Sequence, residues 1–352
     1  MKAALVLAIV FCSAAHANVW RNAIDQGSPD VHQDIYDSAM REGDSLTLQA
    51  TSQSTSRDNV RSLVNQAVMS YRKASEAKPE MAEPYFKLGR LLYSFYFECT
   101  DSAALYSHPS LLCDNPDKFD APHARQIIAA WDAFEARAPL DPRVSVERNN
   151  AGVDSDFNLL FHRAVLHTRL AGEDKVKPDE ATAELQAATK EYEKILARTD
   201  APDETILSNL AETYMMLGNL DLSIDTYRQA LRNNRNTETM YGLAVALDRD
   251  ERGDQAKDVI VAQGMQAMNE FSKRVGSHIT FFVPKGEENY YFALAYEAFG
   301  LNDSAIAYWK KFIDSGAHPE FQPRAKAHLA PLLRAQTRKS VNIETPWRDF
   351  IP

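Results

Sequence analysis

The stretch Asp203–Arg235 reads DETILSNLAETYMMLGNLDLSIDTYRQALRNNR. Within it Leu207, Leu210, Ala211 and Tyr214 recur at helical spacing, Gly218 follows, and Ser223, Tyr227 and Ala230 repeat the pattern. Apolar residues three and four apart mark one helix face, and a glycine between two such runs marks a tight turn, so this stretch predicts two antiparallel amphipathic helices. The small side chains of Ala211 and Ser223 let the helices approach closely, while Leu210 and Tyr227 fill the space beside them.

The pair Ala211/Ser223 sets a template that recurs along the chain. Ala293 starts a strong copy, with Tyr296, Gly300, Ala305 and Trp309 at matching offsets over Glu287–Ser315. Leu243, Ala244, Leu247 and Ala256 form a looser one, in which Gly253 comes two residues late and Ile260 replaces the aromatic. Phe157–Leu196 holds a degenerate copy with Ala164 in its first helix, Ala188, Tyr192 and Ile195 in its second, and Arg163 where an apolar residue is expected. Tyr85, Leu88, Gly89 and Leu92 make another first helix, whose partner around Ala130 and Phe134 appears only after an insertion. Upstream, Ala67, Tyr71, Ala74 and Pro79 read as a second helix; its first helix, placed within Val31–Gln53, is blurred by the polar run Thr51–Ser56. Pro202, Pro178 and Pro319, each followed by acids, punctuate helix starts.

These residues resemble the tetratricopeptide repeat (TPR) family, whose unit is a helix-turn-helix of about 34 residues. The resemblance covers most of Val60–Ser315 and implies an all-α, right-handed solenoid with loop insertions. The expected organisation is a leader at 1–17, a partly helical segment at 18–59, and five to six degenerate repeats over 60–316. Insertions fall near 95–122 and 270–287, a capping helix follows at 317–338, and an extended tail at 339–352. Terminal repeats need a polar outer face, which is the role expected of the cap. Ile279–Val283, a β-prone run ending at Pro284, lies in the second insertion as packing or as a docking patch.

In the family, the first helix of each unit lines a concave groove, with the positions three before and one, four and five after the small residue facing a ligand. Carried onto this chain, the resemblance implies a partner-binding set of Phe86, Arg90, Tyr93, Phe161, Arg169, Glu212, Met215, Tyr241, Arg249, Tyr290 and Glu297. Phe86, Phe161, Tyr241 and Tyr290 share one offset, which gives an aromatic ladder if the rings face the groove and inter-helix packing if they do not. Aromatic and arginine side chains bury large areas while keeping a directional contact, which suits a protein or peptide partner.

Lys2, the apolar run Ala3–Cys12 and the exit Ala15-His16-Ala17 read as a secretory leader cleaved near Ala17. Its apolar run is too short to span a bilayer, so a periplasmic or secreted product is expected. Cys12 raises lipidation as an alternative, against which stands the bulky Phe11 before it. Cys99 and Cys113 would remain as the only thiols, and in an oxidising compartment a disulfide is the default. A zinc site formed with His108 and His123 matches no finger spacing.

Lys and Arg total 39 against 49 Asp and Glu, a net of −10, which disfavours a nucleic-acid partner. The sequence contains no Gly-x-Ser-x-Gly, His-Glu-x-x-His, phosphate loop or dinucleotide fingerprint, and so no metal, cofactor or enzyme activity is expected. His162 and His167, five apart, point to different helix sides and read as packing residues. The pairs Glu287/Glu288 and Asp248/Asp250 read as solvated surface. The functional expectation is a non-catalytic scaffold that binds a protein or peptide in a cell-envelope assembly. A receptor for small wall-derived peptides or glycans is the alternative.

Overall fold

The computed structural model describes residues 31–52, 56–97, 112, 119–144, 159–173, 176–198, 203–233, 235–276 and 282–344. The leader, Cys12, Cys99 and Cys113 lie outside the described residues. Among the described residues the architecture is all helical, a TPR-like array of helix hairpins. The hairpins are α1 (Val31–Ala50) with α2 (Arg57–Ala77), α3 (Glu83–Tyr96) with α4 (Ala121–Arg137), and α5 (Leu159–Ala171) with α6 (Pro178–Leu196). They continue with α7 (Glu204–Met216) and α8 (Leu220–Asn233), α9 (Thr237–Arg249) and α10 (Gly253–Gly276), and α11 (Glu288–Ala298) and α12 (Asn302–Ser315). A 3-10 turn, Pro319–Phe321, leads into the cap α13 (Gln322–Glu344), which packs on α12. First helices also touch along the array, α5 to α7, α7 to α9 and α9 to α11, so they form one face. No described helix is long and apolar enough to cross a membrane.

The expected punctuation recurs as hydrogen bonds. Asp203 caps α7 by accepting from the Thr205 amide at 2.8 Å, and Asn236 caps α9 by accepting from Thr239 at 2.8 Å. Gly218 (φ 78°) ends α7, and the Asn219 amide donates back to the Tyr214 carbonyl at 2.9 Å. In the looser copy the same left-handed position is Glu251 (φ 61°), with Arg252 donating to the Leu247 carbonyl at 2.8 Å, and Gly253 starts α10 instead. This explains the displaced glycine.

Two boundaries differ from the sequence reading. The array begins before residue 60, because α1 pairs with α2 as a full hairpin: a Cβ on Gly43 would stand 2.6 Å from the Tyr71 ring, as one on Gly89 would stand 2.3 Å from Trp131. Gly43 is therefore the small position of the first unit, hidden in the sequence by an otherwise polar helix. At the other end, 339–344 continues the cap helix and is not an extended tail. Arg163, the misfit of the third unit, is buried (1% exposed) and pairs with Asp132 at 2.7 Å, with Glu191 at 2.5 Å and with Glu135.

Candidate functional site

With Gly43 and Gly89 as the small positions, the groove offsets on α1 are Met40, Asp44, Thr47 and Leu48, and those on α3 are Phe86, Arg90, Tyr93 and Ser94. All except Tyr93 and the buried Met40 line one open groove of about 370 Å³, with Tyr71, Leu91 and Phe95 on its floor. Leu48 is 74% exposed, an apolar side chain left at the groove lip. The rim is charged: Lys87 Nζ reaches the Asp44 carboxylate at 2.6 and 2.7 Å, and the Tyr71 hydroxyl donates to Asp44 at 2.9 Å. Phe86 rests against Phe134, 5.1 Å between ring centroids, with the Arg143 guanidinium 4.3 Å above it. An apolar floor with fixed charges at the edge buries a side chain and orients the backbone that carries it.

Tyr93 faces inward from this section. Its hydroxyl meets His162 Nδ1 at 2.8 Å, and its ring packs on Phe97 and Trp131. Burial, with Arg90 nearby, pulls the His162 imidazole down to about 4, so it is neutral at pH 7. His167 contacts Glu184 at 2.6 Å. Arg169 lies over the Phe119 ring at 4.7 Å, taken up by the first insertion. Phe161 is half-buried, edge-on to Tyr192 at 6.4 Å.

In the middle of the array the groove face is covered by the chain itself. Val283 stands with Val165 and Thr168 of α5, Tyr192 of α6, and Asn209 and Glu212 of α7 around a residual space of only about 20 Å³. Burial and the Glu287 carboxylate raise Glu212 to about 7, against the pull of Arg249 and His318. Met215 is buried in the C-terminal core.

Toward the C-terminus the ladder ends. Tyr241 (1% exposed) stacks on Phe271 at 4.8 Å, and Tyr290 (0% exposed) sits edge-on to Trp309 at 4.8 Å and Phe312 at 5.0 Å. These two rings are inter-helix packing, so the four aromatics form no continuous exposed ladder. Arg249 is likewise interior, paired with Glu287 at 2.6 Å and lying 4.6 Å from the Tyr290 ring and 4.1 Å from the Phe321 ring. Asp248 and Glu287, read from sequence as solvated, are buried. Asp248 accepts from Tyr290 Oη at 2.6 Å, from Arg324 at 2.7 Å and contacts His328 Nε2 at 3.0 Å. The partners of Asp248 lie on α11 and α13 and that of Glu287 is Arg249 on α9, too far along the chain for any local pattern to reveal them. Glu297 accepts from Trp309 Nε1 at 2.8 Å and lines a polar cleft of about 620 Å³ with Glu251, Arg252, Asp254, Lys257 and His328. No cluster of three His, Cys, Asp or Glu suited to a metal occurs among the described residues.

No protein-family model and no curated protein matches the chain. Among solved structures it is similar to YrrB, a TPR protein with an unusual peptide-binding site, at 15% identity over 73% of this chain and 97% of that one, with a TM-score of 0.34. It is also similar to the human IFIT1 dimer with m7Gppp-AAAA (16% identity, 88% of this chain, 70% of that one, TM-score 0.30). A third is the TPR domain of P58(IPK), at 11% identity over 86% and 99% of the two chains, with a TM-score of 0.17.

Proposed function

We propose that this chain is an exported, non-catalytic scaffold that holds an extended segment of a partner protein against the α1/α3 section of its groove face, within a cell-envelope assembly. The observation that carries the reading is the open apolar groove of about 370 Å³ at the template offsets of two successive first helices. Extended peptides alternate side chains about every 3.3 Å, so one residue fills the pocket at Leu48, Phe86 and Leu91 while its neighbours meet Lys87 and Arg90. Export rests on the leader-like residues 1–17, and the net charge of −10 argues against nucleic acid in this groove.

Leu48→Asp is the cleanest probe, because Leu48 is a surface side chain whose replacement is worth no more than about 0.5 kcal/mol of stability. We expect affinity capture of envelope partners by the mature chain to fall at least ten-fold with Leu48→Asp or Arg90→Glu, at unchanged helical circular dichroism. Equal capture by both variants would count against the groove. The polar cleft around Glu297 and His328 favours a second reading, a receptor for small wall-derived peptides or glycans. Thermal-shift screening against wall fragments, repeated with Lys257→Ala, separates the two.

A further inference from the structure

Some repeats in this array are joined by short links: α8 ends at Asn233 and α9 starts at Thr237. The link from α10 to α11 is much longer, running from Gly276 to Glu288, and hairpin closure does not require that length. Within its described part, Phe282 stays beside the helices it joins, whereas Val283 does not. Val283, 7% exposed, reaches back to the end of α5, where a Cβ on Gly172 would stand 2.1 Å from Val283 Cγ1 and 3.4 Å from Pro284 Cα. Gly172 has no positive φ, so its value here is space: the bare backbone is the seat on which Val283 rests.

Around that seat stand Val165 and Thr168 of α5 and Glu212 of α7, groove offsets of two neighbouring units. Phe282 holds the segment from one side, 4.9 Å from the Tyr291 ring and 6.1 Å from Phe271. Glu287 holds it from the other through Arg249 at 2.6 Å. A branched aliphatic and a proline in series thus lie across the face where a partner peptide would lie, anchored by the Phe282 ring on α10 and α11.

We propose that Val283 and Pro284 are an intramolecular occupant of the middle of the groove, and that this section takes from a partner an apolar segment of the same order: branched aliphatic, then proline. The inference rests on the groove-binding reading above and adds to it a competitor built into the chain. A tethered segment competes at an effective concentration reaching the millimolar range, so a free segment of equal quality binds weakly until the tethered one is weakened. The space left beside Val283 is only about 20 Å³, and the Glu212 carboxyl shares it.

The test uses the mature full-length chain and a fluorescein-labelled, end-capped peptide, ITFFVPKGE, copied from residues 279–287. Binding is read by fluorescence anisotropy. Val283→Ala removes two buried methyl groups from the tethered segment and leaves the seat intact, so the peptide should bind it about ten-fold more tightly than the wild type. Val283→Thr keeps the shape and serves as the second variant should Val283→Ala lower the melting temperature enough to confuse the comparison; it too should bind more tightly. Adding Gly172→Ala to either variant puts a methyl group where the peptide's valine must sit, and binding should be lost. Affinities within two-fold across wild type and both Val283 variants, or binding that survives Gly172→Ala, would overturn the proposal. Leu48→Asp leaves this assay untouched, so failure here is distinct from failure of the α1/α3 groove.

Discussion

Asp248→Ala is expected to cost the C-terminal end of the array about 3 kcal/mol and to undock α13. Removing one member of a buried charge cluster leaves the others buried without compensation, which is dearer than never having built the cluster. Asp248 is 0% exposed and ties three elements together: Tyr290 of α11, and Arg324 and His328 of α13. Burial alone would raise its carboxyl, but the hydrogen bonds from His328 and Arg324 outweigh that and bring it down to about 2. Burial also works against a charged His328, and there too the bonds to Asp248 and Glu297 prevail, raising it to about 9.

The signs follow from these directions. A carboxyl lowered on folding contributes stability that is complete above its unfolded value near 4 and is lost as pH falls toward 2. An imidazole raised on folding contributes stability that is complete below its unfolded value near 6.5 and is lost as pH rises through about 9. Cap docking should therefore be strongest between about pH 4 and 6.5 and should weaken by pH 9. Hydrogen exchange of α13 measures both effects. Protection at pH 9 equal to that at pH 6, or an Asp248→Ala protein with a fully protected cap, would contradict the assignment.

Arg163→Met should cost about 3–5 kcal/mol at pH 7, measured by urea denaturation. The guanidinium is 1% exposed and holds Asp132, Glu135 and Glu191, which come from α4 and α6 on either side of it. Methionine fills the volume but leaves these carboxylates facing one another, with Lys194, 3.2 Å from both Glu135 and Glu191, as their remaining cation. Like charges crowded together raise each other's pKa. The loss should accordingly shrink as pH falls toward 5 and the carboxylates take up protons. A loss independent of pH would mean that packing, not charge, explains the burial of Arg163.

How far the sequence carried depends on which forces are local. The hairpin at 203–235 was legible because its small and large side chains meet within one unit, Ala211 and Ser223 beside Leu210 and Tyr227. The same logic located α9 to α12, even where Glu251 had taken the left-handed turn position from glycine. The first hairpin was only half legible: Tyr71 was recognisable, but its receptor Gly43 sits in a mostly polar helix, and with it went Asp44, Thr47 and Leu48 of the candidate groove. Helical period identifies a face but not what covers it. Arg90 and Phe86 stayed at an open groove, whereas Tyr241, Tyr290 and Arg249 were covered by Phe271, Trp309 and Phe321 from later elements. Asp248 and Glu287 were read as solvated because their partners stand tens of residues away in the chain, Tyr290, Arg324 and His328 for the one and Arg249 for the other. The run around Val283 was left open between packing and docking; Val283 is packed on Gly172.

The central claim, a partner held on the α1/α3 groove face, is tested most directly by site-specific photo-crosslinking with a benzoylphenylalanine at position 48. The control carries the probe at Leu140, a 95% exposed side chain after α4 and away from the groove lining. The account predicts one dominant crosslinked partner from position 48, lost when Arg90→Glu is added, and none from position 140. No adduct from position 48, or the same adduct from both positions, would contradict it.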